Sequence, residues 1–243
     1  MIRLRDAVII DLDSEHELVI TTDGCTGIGN LEGDLFPLEI EEVAWTACKV
    51  ALMELISLGA RPVGYAFNHI ADLADHNKTE AGIEKCLNDF GFIDIPHISS
   101  SEKNFKVHQT TITIALTGVR EKREKTKCSN PVYVLIGEPL VGMEVLENPE
   151  KMILPEEFIR LKKAEGIYEI IPVGSHGVEW ELSQFGVKPL ETVIDLKKSA
   201  GPATCVIAEV CPASIDGLRE IFGRKLTILS SECGPFREGE AYA

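Results

Sequence analysis

The stretch from Leu18 to Pro62 constrains this chain more than any other. An apolar, β-branched run (Leu18, Val19, Ile20) passes through Thr21, Thr22 and Asp23 into a loop with glycines at 24, 27, 29 and 33. Val43, Ala44, Ala47, Val50, Ala51, Met53 and Leu55 then recur at helical spacing, which predicts a helix over 38–58. Glu39, Glu41 and Glu42 suit the positive helix start, Gly59 supplies the stop and Pro62 begins the exit. A carboxylate at a strand end, glycines beside it and Glu54 on the following helix suit a metal-bound phosphate. The same residues also fit a strand, a surface loop and a packing helix with no chemistry.

The rest of the chain is α/β. Strands are expected at 7–12 and 17–22, joined by a turn at 13–16, and again at 62–67, 93–98 and 110–119, with a helix at 79–90. Residues 120–130 (REKREKTKCSN) form a charged break, read as a solvated linker, which divides the chain into domains 1–125 and 126–243. Beyond it, strands are expected at 131–136, 168–173, 204–210 and 226–229, and helices at 152–164, 178–185 and 214–222. Helices packed on mixed sheets are the expected architecture.

With 243 residues, 44% hydrophobic and 26% charged, the chain has material for two such cores. A net charge of -15 argues against nucleic acid or an anionic membrane as the main partner, because phosphate backbones are held by clustered Lys and Arg. No segment approaches 18 consecutive apolar residues, and the acidic N-terminus lacks a leader's apolar core, so a cytoplasmic protein is expected. Seven scattered cysteines without CxxC indicate neither a disulfide framework nor a zinc knuckle.

No GxxxxGK[ST], GxSxG or HExxH occurs. Gly27-Ile28-Gly29 begins a dinucleotide fingerprint, but Glu32 stands where its third glycine is needed. His176, in a Gly-Ser-His-Gly loop before a helix, is a candidate base or anion contact, and the amides around it are candidate anion donors. His69, His97 and His108 read as structural. Cys25 is a candidate thiol with no basic neighbour in sequence. The acidic set says more: Asp23, Glu54 and Glu102, with Asn104 close by, offer the oxygen ligands Mg²⁺ takes, and Lys103, Lys197 and Lys198 offer cations for phosphoryl groups. Asp11 and Asp13 fit either a metal site or a solvated turn.

TTDG, then ALMELISLGARP, then a strand followed by SSSEKNF and another strand, resembles the N-terminal half of the PurM-like (AIR synthase-related) superfamily. The runs VALMELISLGA, SSSEKNFKVHQTTITIALTG, IIPVGSHG and DLKKSAGPATC look closest to the α-ribazole kinases of cobamide lower-ligand salvage. The resemblance, which follows the order of elements along most of the chain, implies a two-domain α/β fold. In that fold the N-terminal sheets of two subunits join into a β-barrel, so a homodimer is expected. It implies ATP and Mg²⁺ as cofactors and a small-molecule hydroxyl as acceptor. On matching positions, Asp23 and Glu54 would hold the metal, with Asp11 standing in for an acidic Gly-Asp-Asp segment that is absent here. Glu102, Lys103 and Asn104 would act at the reacting groups. Thr22, Asp23, Gly24, Ser101, Ser175, His176, Lys197 and Lys198 would contact nucleotide or substrate. The sequence departs from the pattern at Met53-Glu54, where Asp is usual, and at Ser100–Asn104, which has lost a glycine. The second domain is also short. These departures leave room for a nucleotide-binding member without turnover, or for a thiamin-monophosphate kinase-like or selenophosphate synthetase-like enzyme. A hydrolase built on Cys25 or His176 is a third possibility.

Overall fold

The first strands form because β-branched residues alternate between a face that is buried and one that is not. In the computed structural model, which describes residues 1–102, 104–122 and 128–230, the chain divides into two compact units, Met1–Lys122 and Arg123–Ala243.

The first unit contains β1 (Ile2–Leu4), β2 (Ala7–Asp11), β3 (His16–Thr26), β4 (Ile28–Gly29), β5 (Phe36–Pro37), α1 (Ile40–Ser57), β6 (Arg61–Ile70), α2 (His76–Asp89), β7 (His97–Ser101) and β8 (Thr111–Glu121). Six of the strands make one sheet in the order β1-β2-β3-β8-β6-β7, antiparallel except for β6 with β7; β4 and β5 pair separately. Asp13 closes the β2–β3 turn by accepting from the amides of Glu15 and His16, each at 2.7 Å, which settles it as a turn residue. Val19, Thr21, Ile112, Ile114 and Leu116 are buried beneath α1. Thr21 Oγ1 donates to the Ala51 carbonyl at 2.8 Å and so fixes the helix over the strand. Gly118 permits this packing, since a Cβ there would lie 2.9 Å from Leu55 Cδ2. Gly82 does the same between the helices: its Cβ would fall 2.2 Å from the Glu41 carbonyl.

The strand expected at 93–98 is instead His97–Ser101. It is one edge of the sheet, β1 being the other, and among the described residues it pairs with β6; Ile93 and Ile98 are exposed, so their apolar character does not mark a buried strand. The helix expected from Thr79 begins three residues earlier, at His76.

The second unit contains β9 (Val132–Ile136), α3 (Met143–Glu147), α4 (Pro155–Lys163), β10 (Ile167–Pro172), α5 (Gly177–Ser183), β11 (Val206–Val210), α6 (Ile215–Phe222) and β12 (Leu226–Ser230). Its sheet, β10-β11-β9-β12, is antiparallel throughout. Tyr133, Leu135, Ile171, Val178, Leu182, Phe185 and Ile207 lie in one apolar cluster that fastens α5 to the sheet. The helix expected from Met152 starts at Pro155, whose fixed φ suits a first turn, and Glu157 accepts from the Leu154 amide at 2.8 Å. Among the described residues, no helix is long and apolar enough to cross a membrane.

Candidate functional site

Asp23 lies on the helix-covered side of β3, two residues beyond the Thr21–Ala51 contact. Burial, and after it the negative charge of Asp6, push its carboxyl up to about 6, from an ordinary value near 3.8. A carboxyl in that condition gains from any cation brought to it.

Glu54 lies on the other side of that contact. The N-terminus of α1 sits near Gly29, which is packed on Thr110, and its C-terminal turns sit on Gly118, so helix and β3 run in opposite directions. Asp23 is therefore displaced toward the start of α1 and Glu54 toward its end. Arg5 donates to Ser57 Oγ at 3.2 Å, which puts a guanidinium near the Glu54 end. Asp11 pairs with Glu17, six residues from Asp23 along β3, or about 20 Å at the strand rise. Its carboxylate is taken by Lys122 at 2.5 Å, whose hydrogen bond and charge hold it below the usual carboxylate range. The expectation that Asp11 shares a metal with Asp23 is thus corrected: an antiparallel hairpin sends the two to opposite ends. Among the described residues, no three His, Cys, Asp or Glu side chains are gathered as a metal cluster.

The neighbours of Asp23 on β3 are explained by the strand itself. Thr22 Oγ1 donates to the Ile114 carbonyl at 2.9 Å. Gly24 is needed because a Cβ would meet Thr113 Cγ2 at 2.5 Å and the Ile112 carbonyl at 2.7 Å; close strand pairing, rather than a phosphate, accounts for this glycine. Burial and the charges of Asp23 and Asp34 push the Cys25 thiol up to about 11, which disfavours the thiolate that a nucleophilic cysteine needs.

Asp34, which no motif singles out, organises the glycine loop. One carboxylate oxygen accepts from the Thr110 amide at 2.7 Å, and the other from Thr110 Oγ1 at 2.7 Å and the Leu31 amide at 2.8 Å. Gly33 N donates to His108 O at 2.9 Å, and Gln109 Nε2 to Gly33 O at 2.8 Å. The glycine loop is therefore laced to the segment that follows the Ser/Glu/Asn loop. In that loop Glu102 Oε1 accepts from the Asn104 amide at 2.5 Å, and Ser101 ends β7 opposite His69. Lys103 falls outside the described residues. Ser99 of β7 and Asp23 are aligned across β6 and β8, so three strand spacings, about 14 Å, separate the two strands.

In the second unit the two expected loops do meet. Ala200 N donates to Gly174 O at 3.1 Å and Glu179 N to Leu196 O at 2.9 Å, which brings Ser175 and His176 beside Lys197 and Lys198. Gly177, at φ +80°, is required there because a Cβ would lie 2.8 Å from the Lys198 carbonyl. The expected anion-receiving amides are corrected in part: Gly177 N and Glu179 N are already given to Gly174 O and Leu196 O. His176 is exposed, with its ring 4.8 Å from that of Trp180. Lys197 reaches Glu179 at 3.7 Å, and Lys198 is bound to Glu144 of α3 at 2.7 Å.

No protein-family model and no curated protein matches the chain. Solved structures do match, at 10–16% identity, and the chain shares their fold. PurL of T. maritima complexed with ATP superposes with a TM-score of 0.59 at 15% identity, over 92% of this chain and 41% of that one. A ThiL complexed with AMPPCP and TMP gives 0.58 at 16% identity, over 97% of this chain and 85% of that one. E. coli HypE, a hydrogenase maturation protein, gives 0.60 at 10% identity, over 92% and 87%. This chain spans about two fifths of the length of the PurL it matches (41%).

Proposed function

We propose that this chain is a Mg²⁺- and ATP-dependent small-molecule kinase that transfers a phosphoryl group to a nucleoside-like hydroxyl, with α-ribazole as the acceptor that best suits its motifs. The observation that carries this reading is Asp23: a partly buried carboxyl, raised to about 6, in a fold shared with ATP-bound PurL and AMPPCP-bound ThiL. Asp23 fits the group that is implied. Mg²⁺ takes one or two protein carboxylates and fills its shell with water and phosphate oxygens, so it needs no gathered cluster. When bound, the ion would offset the charge developing on the transferred phosphoryl group. Asp23 would hold it, and Glu54 would act from further along the same face. Glu102 and Asn104 would position acceptor or phosphate, and Lys103, between them in sequence, is a candidate cation. Within the second unit, Lys197, Lys198, Ser175 and His176 are the candidate donors to substrate or phosphate.

A homodimer belongs to the same proposal. Both helices of the first unit pack on one face of its sheet, while Val8, Ile20 and Ala115 line the other and are only half-buried or exposed. A sheet face turned away from both helices suits a second copy.

ADP release measured with Mg²⁺, ATP and a panel containing α-ribazole and thiamin monophosphate tests the reading. Release dependent on α-ribazole, abolished by EDTA and by Asp23→Asn, supports it; undiminished turnover in Asp23→Asn overturns the metal assignment. A second reading, a nucleotide-binding member without turnover, is favoured by Lys198, whose ammonium already has Glu144 as partner. Tight ATP binding with no acceptor-dependent ADP release would select it.

A further inference from the structure

The first unit holds a cleft that none of the proposed phosphoryl chemistry uses. About 130 Å³ in volume, it lies between the last turns of α2 and the segment leading to β7, and is lined by Tyr65, Glu84, Leu87, Asn88, Phe92 and Asp94, with Ile93 and Ile95. Tyr65 is 5% exposed, and its hydroxyl is buried with no hydrogen-bond partner. The ring is held by a stack on His97, 4.6 Å between centroids, and the Tyr65 amide donates to Pro96 O at 3.1 Å. A buried hydroxyl left unpaired bears its full desolvation cost, and such groups in an otherwise well-paired protein call for an explanation.

One further observation points to a ligand at this place. Glu84 and Asp94 put two carboxylates on the rim, and neither makes an ion pair among the described residues. Asp94 holds a φ of +56°, in the left-handed region that Asp enters more readily than most residues, so the turn itself accounts for it. Burial, followed by the charges of Glu84 and Glu80, pushes the Tyr65 phenol well above its ordinary value, so it stays a neutral O–H.

From this geometry we infer that the cleft binds a small organic ammonium ion with an apolar body. Its N–H groups donate to the Tyr65 oxygen and to the carboxylates of Glu84 and Asp94, and its apolar part rests on Leu87, Phe92 and Ile95. Anions are repelled by the paired carboxylates, and a neutral analogue leaves them uncompensated.

Phenethylamine is a suitable probe, titrated into the full ¹⁵N-labelled chain and followed by amide shifts. Saturable shifts confined to residues 84–95 and the neighbourhood of Tyr65 are expected, with 2-phenylethanol and phenylacetate at least about tenfold weaker. Tyr65→Phe is expected to keep or raise the thermal midpoint of the free protein, because it deletes an unmade donor, while weakening phenethylamine about tenfold. Glu84→Gln provides a second variant outside the packed interior, with a loss of about threefold or more. The inference is overturned by the absence of saturable shifts up to about 20 mM amine. It is also overturned by phenylacetate binding as well as the amine, or by an unchanged affinity in Tyr65→Phe.

Discussion

Asp23 in the first unit and Lys198 in the second are charged side chains expected at phosphate chemistry, and the fold treats them in opposite ways. Asp23 is partly buried near another carboxylate, and its carboxyl is raised to about 6. Lys198 has its ammonium 2.7 Å from Glu144, whose carboxyl is held below its usual range by that hydrogen bond. One site lacks its countercharge and the other has it built in. A cation therefore gains most at Asp23, whereas an anion approaching Lys198 competes with Glu144.

The sharpest way to break this contrast is to neutralise the first member. Asp23→Asn is expected to lower Mg²⁺-dependent ADP release about a hundredfold or more, with folding intact by circular dichroism. A loss below about threefold would mean that the uncompensated carboxyl serves no metal. Next in size is the support of the glycine loop. Asp34→Ala leaves the Thr110 amide, the Thr110 hydroxyl and the Leu31 amide without their acceptor, and is expected to cost about 3 kcal/mol in urea unfolding.

The third prediction uses pH. Because the folded-state value of Asp23 is raised, the unfolded chain ionises first, and the parent loses stability as pH rises from about 4 to about 6. Asp23→Asn escapes that loss. Without metal it should therefore be more stable than the parent by about 2 kcal/mol at pH 7, discounted for partial exposure, with no difference below about pH 4. An equal difference at both pH values would show that burial of the charge is not the cause. The smallest effect belongs to the compensated member. Glu144→Gln releases Lys198, and ATP affinity is expected to rise about threefold by calorimetry, with little change in thermal midpoint. Unchanged affinity would indicate that Lys198 does not face the nucleotide.

Much of the fold was legible along the chain. The helical spacing of Val43 to Leu55, the stop at Gly59 and the alternation through Ile112, Ile114 and Leu116 each reflect a local period, and each element formed as that period requires. The edge strand was misplaced because Ile93 and Ile98 are apolar yet exposed, and sequence period alone does not show which strand lacks a second neighbour. Asp34 went unnoticed because its partner, Thr110, is 76 residues away and nothing local marks the pair. An acidic residue after a glycine loop, followed by a Thr heading a strong strand, is the only trace they leave in the sequence.

The sequence by itself determined most of the longer elements and their order, and it determined that Ser175–His176 and Lys197–Lys198 would fall in loops, because those properties depend on neighbours a few residues apart. Only the tertiary structure decided which charges are compensated. Asp11 and Asp23 belong to adjacent strands, yet the antiparallel register sends one to Lys122 and leaves the other near Asp6. Lys198 and Glu144, 54 residues apart, are brought into contact by packing. Charge compensation falls off over a few ångströms, and at that range spatial neighbours matter while sequence neighbours do not.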